Sequence, residues 1–190
     1  MKYIAEIIGT FFLVAVVIGS GIMAENLSNG NLAITLLGNT IPTGAILFVL
    51  IKMFTPISGA HFNPVVSLVF YVRKELDLKD LFIYIVLQII GGIIAVFMIH
   101  YIFEQQLFQI SQNVRGEVPL FVSEIIATSG LILTILFIRK HDAKSVALAV
   151  ALFITAGYWF TSSTSFANPA VTIARIFTDT FTGISPISSL

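Results

Sequence analysis

Residues 165–175 read SFANPAVTIAR, and residues 58–74 read SGAHFNPVVSLVFYVRK. In each stretch an Asn stands directly before a Pro, and an apolar run of about ten residues follows. Asn is a favoured helix N-cap, and Pro is tolerated at the first helical position because its missing N–H would be unpaired there anyway. Each stretch therefore predicts a helix beginning at its Asn, over residues 63–72 and 168–177. Neither is long enough to cross an apolar layer of about 30 Å, which takes about 20 residues. Both are expected to be half-helices that enter a membrane from a loop and turn back.

The surroundings agree with a membrane setting. The 190 residues are 57% hydrophobic and 11% charged, with a mean hydropathy of +0.98, whereas soluble domains are about a quarter charged. Five apolar segments are long enough to span, at 3–24, 32–54, 80–103, 119–139 and 144–161. The first is too long for a cleaved signal and carries Glu6, so it is expected to be retained. The formal charge is zero, with no basic tract that would suit nucleic acid. There is no Cys, and His61, His100 and His141 share no metal-ligand spacing. No phosphate-binding loop or catalytic constellation is present, so neither an enzyme nor a cofactor is expected.

Lys and Arg give an orientation. With the N-terminus in the cytoplasm, Lys2, Lys52, Arg73, Lys74, Lys79, Arg139, Lys140 and Lys144 fall inside, and only Arg115 and Arg175 outside. Such a bias predicts a multi-pass protein of the cell's inner (plasma) membrane with a cytoplasmic N-terminus.

The chain also repeats itself. EIIGT at 6–10 corresponds to EIIAT at 124–128, and Leu47-Phe48 and Leu152-Phe153 each stand sixteen residues before an Asn-Pro site. Three spans in the first unit turn the second copy upside down, as in many transport proteins. The expected plan is one domain over 1–190, with a first repeat at 1–103 and an incomplete second repeat at 118–177. A sixth span would complete the second copy. TDTFTGISPISSL at 178–190, with Asp179 and Pro186, is too short to supply it, so these residues are expected to lie outside the membrane.

An inverted repeat lets the two half-helices meet near the midplane. Their N-termini carry partial positive charge and unpaired N–H groups. Asn63 and Asn168 add amide donors at the same point, suited to a neutral solute with an oxygen lone pair. The preceding loops, rich in Gly, Ser and Thr, are tolerated at membrane depth only if buried or lining water. Glu6 and Glu124 are costly in a bilayer. They are expected to accept loop N–H groups, with His61 in a fixed loop contact, although proton coupling through the two Glu is an alternative.

SGAHFNPVVS, ANPA and AEIIGTFFLV (residues 5–14) together resemble the aquaporin, or major intrinsic protein, family of water and small-solute channels. The resemblance implies an all-α membrane fold, here with five transmembrane helices, two half-helices and no sixth helix. It also implies a homotetramer in the lipid bilayer with one pore per subunit. Counting from the two Asn, it places an outer selectivity filter at Thr43, Ala156, Ser165 and Val171. The family usually has an aromatic, often a His, and an Arg at the first, second and fourth of these. Their absence implies a wider and less polar filter. Arg175, four residues beyond Val171, is expected either to guard the outer mouth or to reach the interface. NPAVT, AR and TDTF resemble a bacterial subgroup associated with metalloid hydroxides and methylated arsenicals. The reading is a passive channel for water or small uncharged solutes. A non-conducting truncated form and a proton-coupled transporter are the alternatives.

Overall fold

The computed structural model describes residues 1–116 and 118–189. Its helices are α1 (Lys2–Leu27), α2 (Leu32–Ser58), α3 (Pro64–Val72), α4 (Leu78–Ile102), α5 (Val118–His141), α6 (Val146–Phe160) and α7 (Pro169–Arg175). Five segments are long and apolar enough to cross a membrane, the last counted from Ala143 through a 3-10 turn to Phe160. The helices α3 and α7 have nine and seven residues, which at 1.5 Å per residue reach only about 14 and 11 Å. No strand occurs among the described residues.

The boundaries follow local chemistry. Asn31 opens α2 by accepting from the Ala33 and Ile34 N–H groups. The second helix runs four residues past the expected end, with Pro42 and Pro56 inside it, and stops at Gly59, which has φ +89°. That left-handed closure suits Gly because it has no Cβ. The last half-helix ends at Arg175, two residues before the expected end.

The centre of the molecule is α1, packed between α2 and α4. Its buried face includes Glu6, Gly9, Thr10, Leu13, Val14, Val17 and Ile18. Its contact with α4 is close at Gly91, where an added Cβ would lie 2.5 Å from the Ile7 carbonyl oxygen. Gly91→Ala is expected to separate α1 from α4 and lower stability by about 1–3 kcal/mol, as overpacking does. Thermal unfolding in detergent would measure it; an unchanged midpoint would contradict the contact.

In the second repeat α5 packs on α6 and is buried only at Ala127 and Leu131. Most of its apolar surface is thus open to lipid or to neighbouring helices. The end carrying the α1, α4 and α6 starts is termed inner, and the end carrying the α4–α5 loop outer. At the inner end Asp80 ties α4 to α1 by accepting from the Lys2 ammonium and, at 2.7 Å, from the Tyr3 hydroxyl. Glu75 accepts from Arg73 at 2.8 Å and pairs with Arg139 at 2.6 Å. The two guanidiniums hold its carboxyl below the usual carboxylate range.

After α7 the chain folds across the outer end. Ile184 donates its N–H to the Arg175 carbonyl at 3.2 Å, and Ser185 donates to the Asn113 carbonyl at 2.8 Å. Ser111 donates to the Ile176 carbonyl at 2.8 Å. The tail and the α4–α5 loop are thereby bonded to each other, and Thr178, Thr182 and Ile184 are buried. Leu190 lies outside the described residues.

Candidate functional site

The two loops that lead into α3 and α7 repeat each other in backbone geometry. Ala60 and Ser165, three residues before each Asn, have φ of +54° and +53°. Phe62 and Ala167, one residue before each Asn, have φ of +49° and +45°. Left-handed conformations in residues with a Cβ cost about 1–3 kcal/mol each and persist only where the surroundings enforce them. The enforcing groups are the two carboxylates. Glu6 accepts from the His61 N–H at 3.0 Å and the Phe62 N–H at 2.8 Å. Glu124 accepts from the Phe166 N–H at 2.9 Å and the Ala167 N–H at 2.7 Å.

Glu6 also accepts from the Ser58 hydroxyl at 2.6 Å and the Gln88 amide at 2.8 Å. Four donors therefore surround a fully buried carboxylate. His61 is buried too, with Nδ1 3.1 Å from the Ser67 hydroxyl and its ring between Phe70 and Tyr84. Gln88 joins this network through Ser67 at 3.1 Å. Its neighbours Gly91 and Gly92 suggest helix packing alone, and only the fold reveals it as a loop support.

Each Asn caps its own half-helix and reaches to the opposite one. The Asn63 oxygen accepts from the Val65 N–H at 2.9 Å, while its amide donates to the Ala167 carbonyl at 2.7 Å. The Asn168 oxygen accepts from the Ala170 N–H at 3.1 Å, while its amide donates to the Phe62 carbonyl at 2.8 Å. The reciprocal pair fixes the two helix N-termini against each other. An amide nitrogen has two N–H bonds, so one donor on each Asn is left after the cross-link. Both Asn line the cavity described next.

That cavity, of about 490 Å³, extends from Lys52, Arg139 and Lys144 at the inner end to Arg175 at the outer end. Its walls between are mostly apolar, with Leu47, Ile51, Val66, Val150, Ile154 and Val171 among them. Thr43, Ser165 and Val171 line it. Ala156 does not: it lies exposed on the outside of α6. Tyr158, two residues on, is buried, lines the cavity and donates to Thr43 Oγ1 at 3.4 Å. Two residues along an α-helix rotate a side chain by about 200°. Counting back from Asn168 across an irregular loop therefore misses the phase of α6. A polar aromatic at the end of an apolar span was the available signal.

The outer end is more polar than the residue at position 171 alone implies. Arg175 is 2% exposed and lines the cavity rather than the molecular surface. Its Nε donates to the Thr182 carbonyl, and its guanidinium carbon lies 3.6 Å from the centroid of the Phe166 ring. Arg115, from the α4–α5 loop, lies 5.7 Å from the same ring and donates to the Gly183 and Phe181 carbonyls at 3.2 and 3.0 Å. The aromatic face attracts both cations. Burial pushes the Arg115 guanidinium below its ordinary range.

Two half-helices meeting head to head inside a bundle of spanning helices, with a cavity running past their capping amides, define a membrane channel. The profile of the family described as Major intrinsic protein matches residues 1–144. The chain belongs to the major intrinsic protein family, whose members are channels for water and small solutes and not enzymes. It is 48% identical over 185 residues to aquaglyceroporin AqpS of Rhizobium meliloti (strain 1021), covering 97% of this chain and 79% of that one. It is 35% identical over 136 residues to nodulin-26 of Glycine max, covering 70% of this chain and 49% of that protein. Against the X-ray structure of the aquaglyceroporin from Plasmodium falciparum the TM-score is 0.74, covering 91% of this chain and 78% of that one. Identity there is 22%, so this likeness bears on the fold alone.

Proposed function

We propose that the chain forms a passive pore for small uncharged solutes, with or without water, in the inner (plasma) membrane with its N-terminus cytoplasmic. The observation that carries this reading is the reciprocal donation by Asn63 and Asn168. It holds two helix N-termini and two spare amide donors at the middle of a continuous cavity. In this reading the spare donors orient a solute oxygen. Thr43, Ser165 and Val171, with Tyr158 in the place expected for Ala156, set the outer width, and Arg175 guards the outer mouth. Trigonal hydroxides such as arsenous acid fit a passage that lacks a bulky residue at position 171. The name of the AqpS relative adds glycerol to the solutes worth testing. The exposed apolar flank of α5 favours assembly with neighbouring subunits, for which a homotetramer is the proposed form.

Proton coupling through Glu6 and Glu124 has less support. Both carboxylates are occupied by loop N–H groups, and neither lines the cavity.

Stopped-flow light scattering on proteoliposomes tests the proposal, with an impermeant osmolyte for water and then glycerol and arsenous acid. Flux above empty liposomes is expected. A folded, monodisperse oligomer that conducts none of these would favour the non-conducting form. Val171→Arg is expected to cut glycerol flux by about tenfold or more, which corresponds to about 1.4 kcal/mol of barrier. Water flux should fall less. Equal losses for both would place the constriction elsewhere.

A further inference from the structure

The residue two places before each Asn holds the same station in the two repeats. His61 and Phe166 each donate their N–H to a carboxylate, Glu6 at 3.0 Å and Glu124 at 2.9 Å. Each stands between two left-handed residues, Ala60 and Phe62 in one loop, Ser165 and Ala167 in the other. The shared backbone course aims both side chains in equivalent directions. Both line the cavity, and each is 7% exposed. Each ring then rests on the end of the half-helix that follows its own loop. The His61 and Phe70 ring centroids are 4.6 Å apart, and the Arg175 guanidinium carbon lies 3.6 Å from the Phe166 centroid. A second brace comes from another element: Tyr84 of α4, 5.3 Å from the His61 ring, and Arg115 of the α4–α5 loop, 5.7 Å from the Phe166 ring.

The repeat therefore puts an aromatic ring in the outer half of the passage, where counting from Asn168 finds none. Thr43 and Val171 leave the expected filter without a bulky side chain, and Phe166 supplies one. Its two cationic neighbours are themselves fastened. Arg175 Nε donates to the Thr182 carbonyl, and Arg115, which does not line the cavity, donates to the Gly183 and Phe181 carbonyls. Attraction of both cations to the ring holds it in place. Phe166 has no polar side-chain atom, so a solute meets hydrocarbon there. Tyr158 and Arg175 line the same end and carry hydrogen-bonding groups. A slender neutral polyol can turn its carbon face to the ring and its hydroxyls to the polar groups. A branched polyol of greater cross-section would collide with a ring that is not free to swing aside.

We propose that Phe166 is a specificity-determining residue of the outer filter and that Arg175 positions its ring, so that the passage favours slender neutral polyols over branched ones. The inference rests on the channel reading and names what selects its solutes. Glycerol and pentaerythritol are suitable probes, because both are neutral polyols and the second is branched and wider. Their fluxes would be measured by stopped-flow light scattering in the same proteoliposomes, for the wild type and for Phe166→Ala, Phe166→Leu and Arg175→Lys.

The wild type is expected to pass glycerol well above empty liposomes and pentaerythritol far more slowly. Phe166→Ala should raise the pentaerythritol-to-glycerol flux ratio by about tenfold or more, within the usual discrimination from one apolar group in a selective site. Phe166→Leu keeps an apolar side chain in the same place and should give an intermediate ratio. It decides the matter if Phe166→Ala does not fold. Arg175→Lys keeps the charge but loses the planar group that lies against the ring, and should shift the ratio in the same direction by a smaller factor. A ring that only supported the loop would, when removed, lower both fluxes together and leave the ratio where it was. That result, or a wild type that passes both polyols equally, would overturn the inference while glycerol flux kept the channel reading standing. An unchanged ratio in Arg175→Lys beside a raised one in Phe166→Ala would overturn the positioning role alone. A wild type that conducts neither polyol nor water would overturn the channel reading, and the inference with it.

Discussion

Glu6→Gln is expected to destabilise the protein by about 3–5 kcal/mol, the largest effect of any single conservative change considered. The carboxylate receives two donors on each oxygen: Ser58 and His61 on one, Phe62 and Gln88 on the other. Glutamine keeps one acceptor oxygen and turns an NH2 group toward the other pair. Two buried donors then lose a charged acceptor, at about 1.5–3 kcal/mol each. The loop also loses the group that holds Ala60 and Phe62 in left-handed conformations. Thermal unfolding of the purified protein in detergent measures the loss. Glu124→Gln should cost less, because Glu124 is only half-buried and holds the two loop N–H groups alone. If Glu6→Gln kept wild-type stability while abolishing solute movement, the carboxylate would be functional rather than structural, and coupled transport would return as the better reading.

Asn168→Asp is expected to abolish most flux and to cost about 2–4 kcal/mol. The substitution is nearly isosteric and keeps an oxygen to cap α7. What it removes is the donor to the Phe62 carbonyl at 2.8 Å. A carboxylate there faces a carbonyl oxygen, so a buried acceptor is left unpaired and like partial charges are opposed. The two half-helix N-termini would part, and a negative charge would stand where the pore is otherwise positive. Asn63→Asp should behave similarly through the Ala167 carbonyl at 2.7 Å. Because both bonds fasten one junction, the double variant should lose less than the sum of the two. Water and glycerol flux, with melting curves for each variant, would decide the matter. Wild-type flux in Asn168→Asp would mean that the reciprocal pair does not hold the pore together.

Much of the architecture was legible in the residues because it depends on near neighbours. Asn followed by Pro starts a helix wherever it stands, and a ten-residue apolar run cannot span. The paired Asn-Pro sites and the two EII segments then pointed to an inverted repeat. Bilayer thickness and helix capping are rules of this local kind.

Other features required the fold. In a membrane chain the lipid-facing and core-facing sides of a span are both apolar, so hydrophobic periodicity does not tell which residues point inward. Ala156 and Tyr158 show the consequence: the count reached the correct turn of α6 but the wrong face. Arg175 shows another. Its position four residues past Val171 was equally compatible with the lipid interface, and only the returning tail, the Phe166 ring and the Thr182 carbonyl turn it into the cavity. The spacing of Gln88 and Glu6 likewise gives no hint that they meet. The sequence by itself determined that two capped half-helices exist and that they oppose each other. The tertiary structure alone decided what their loops lean on and which side chains face the pore, because the contacts of the loops and of the two Asn join residues 42 to 106 positions apart.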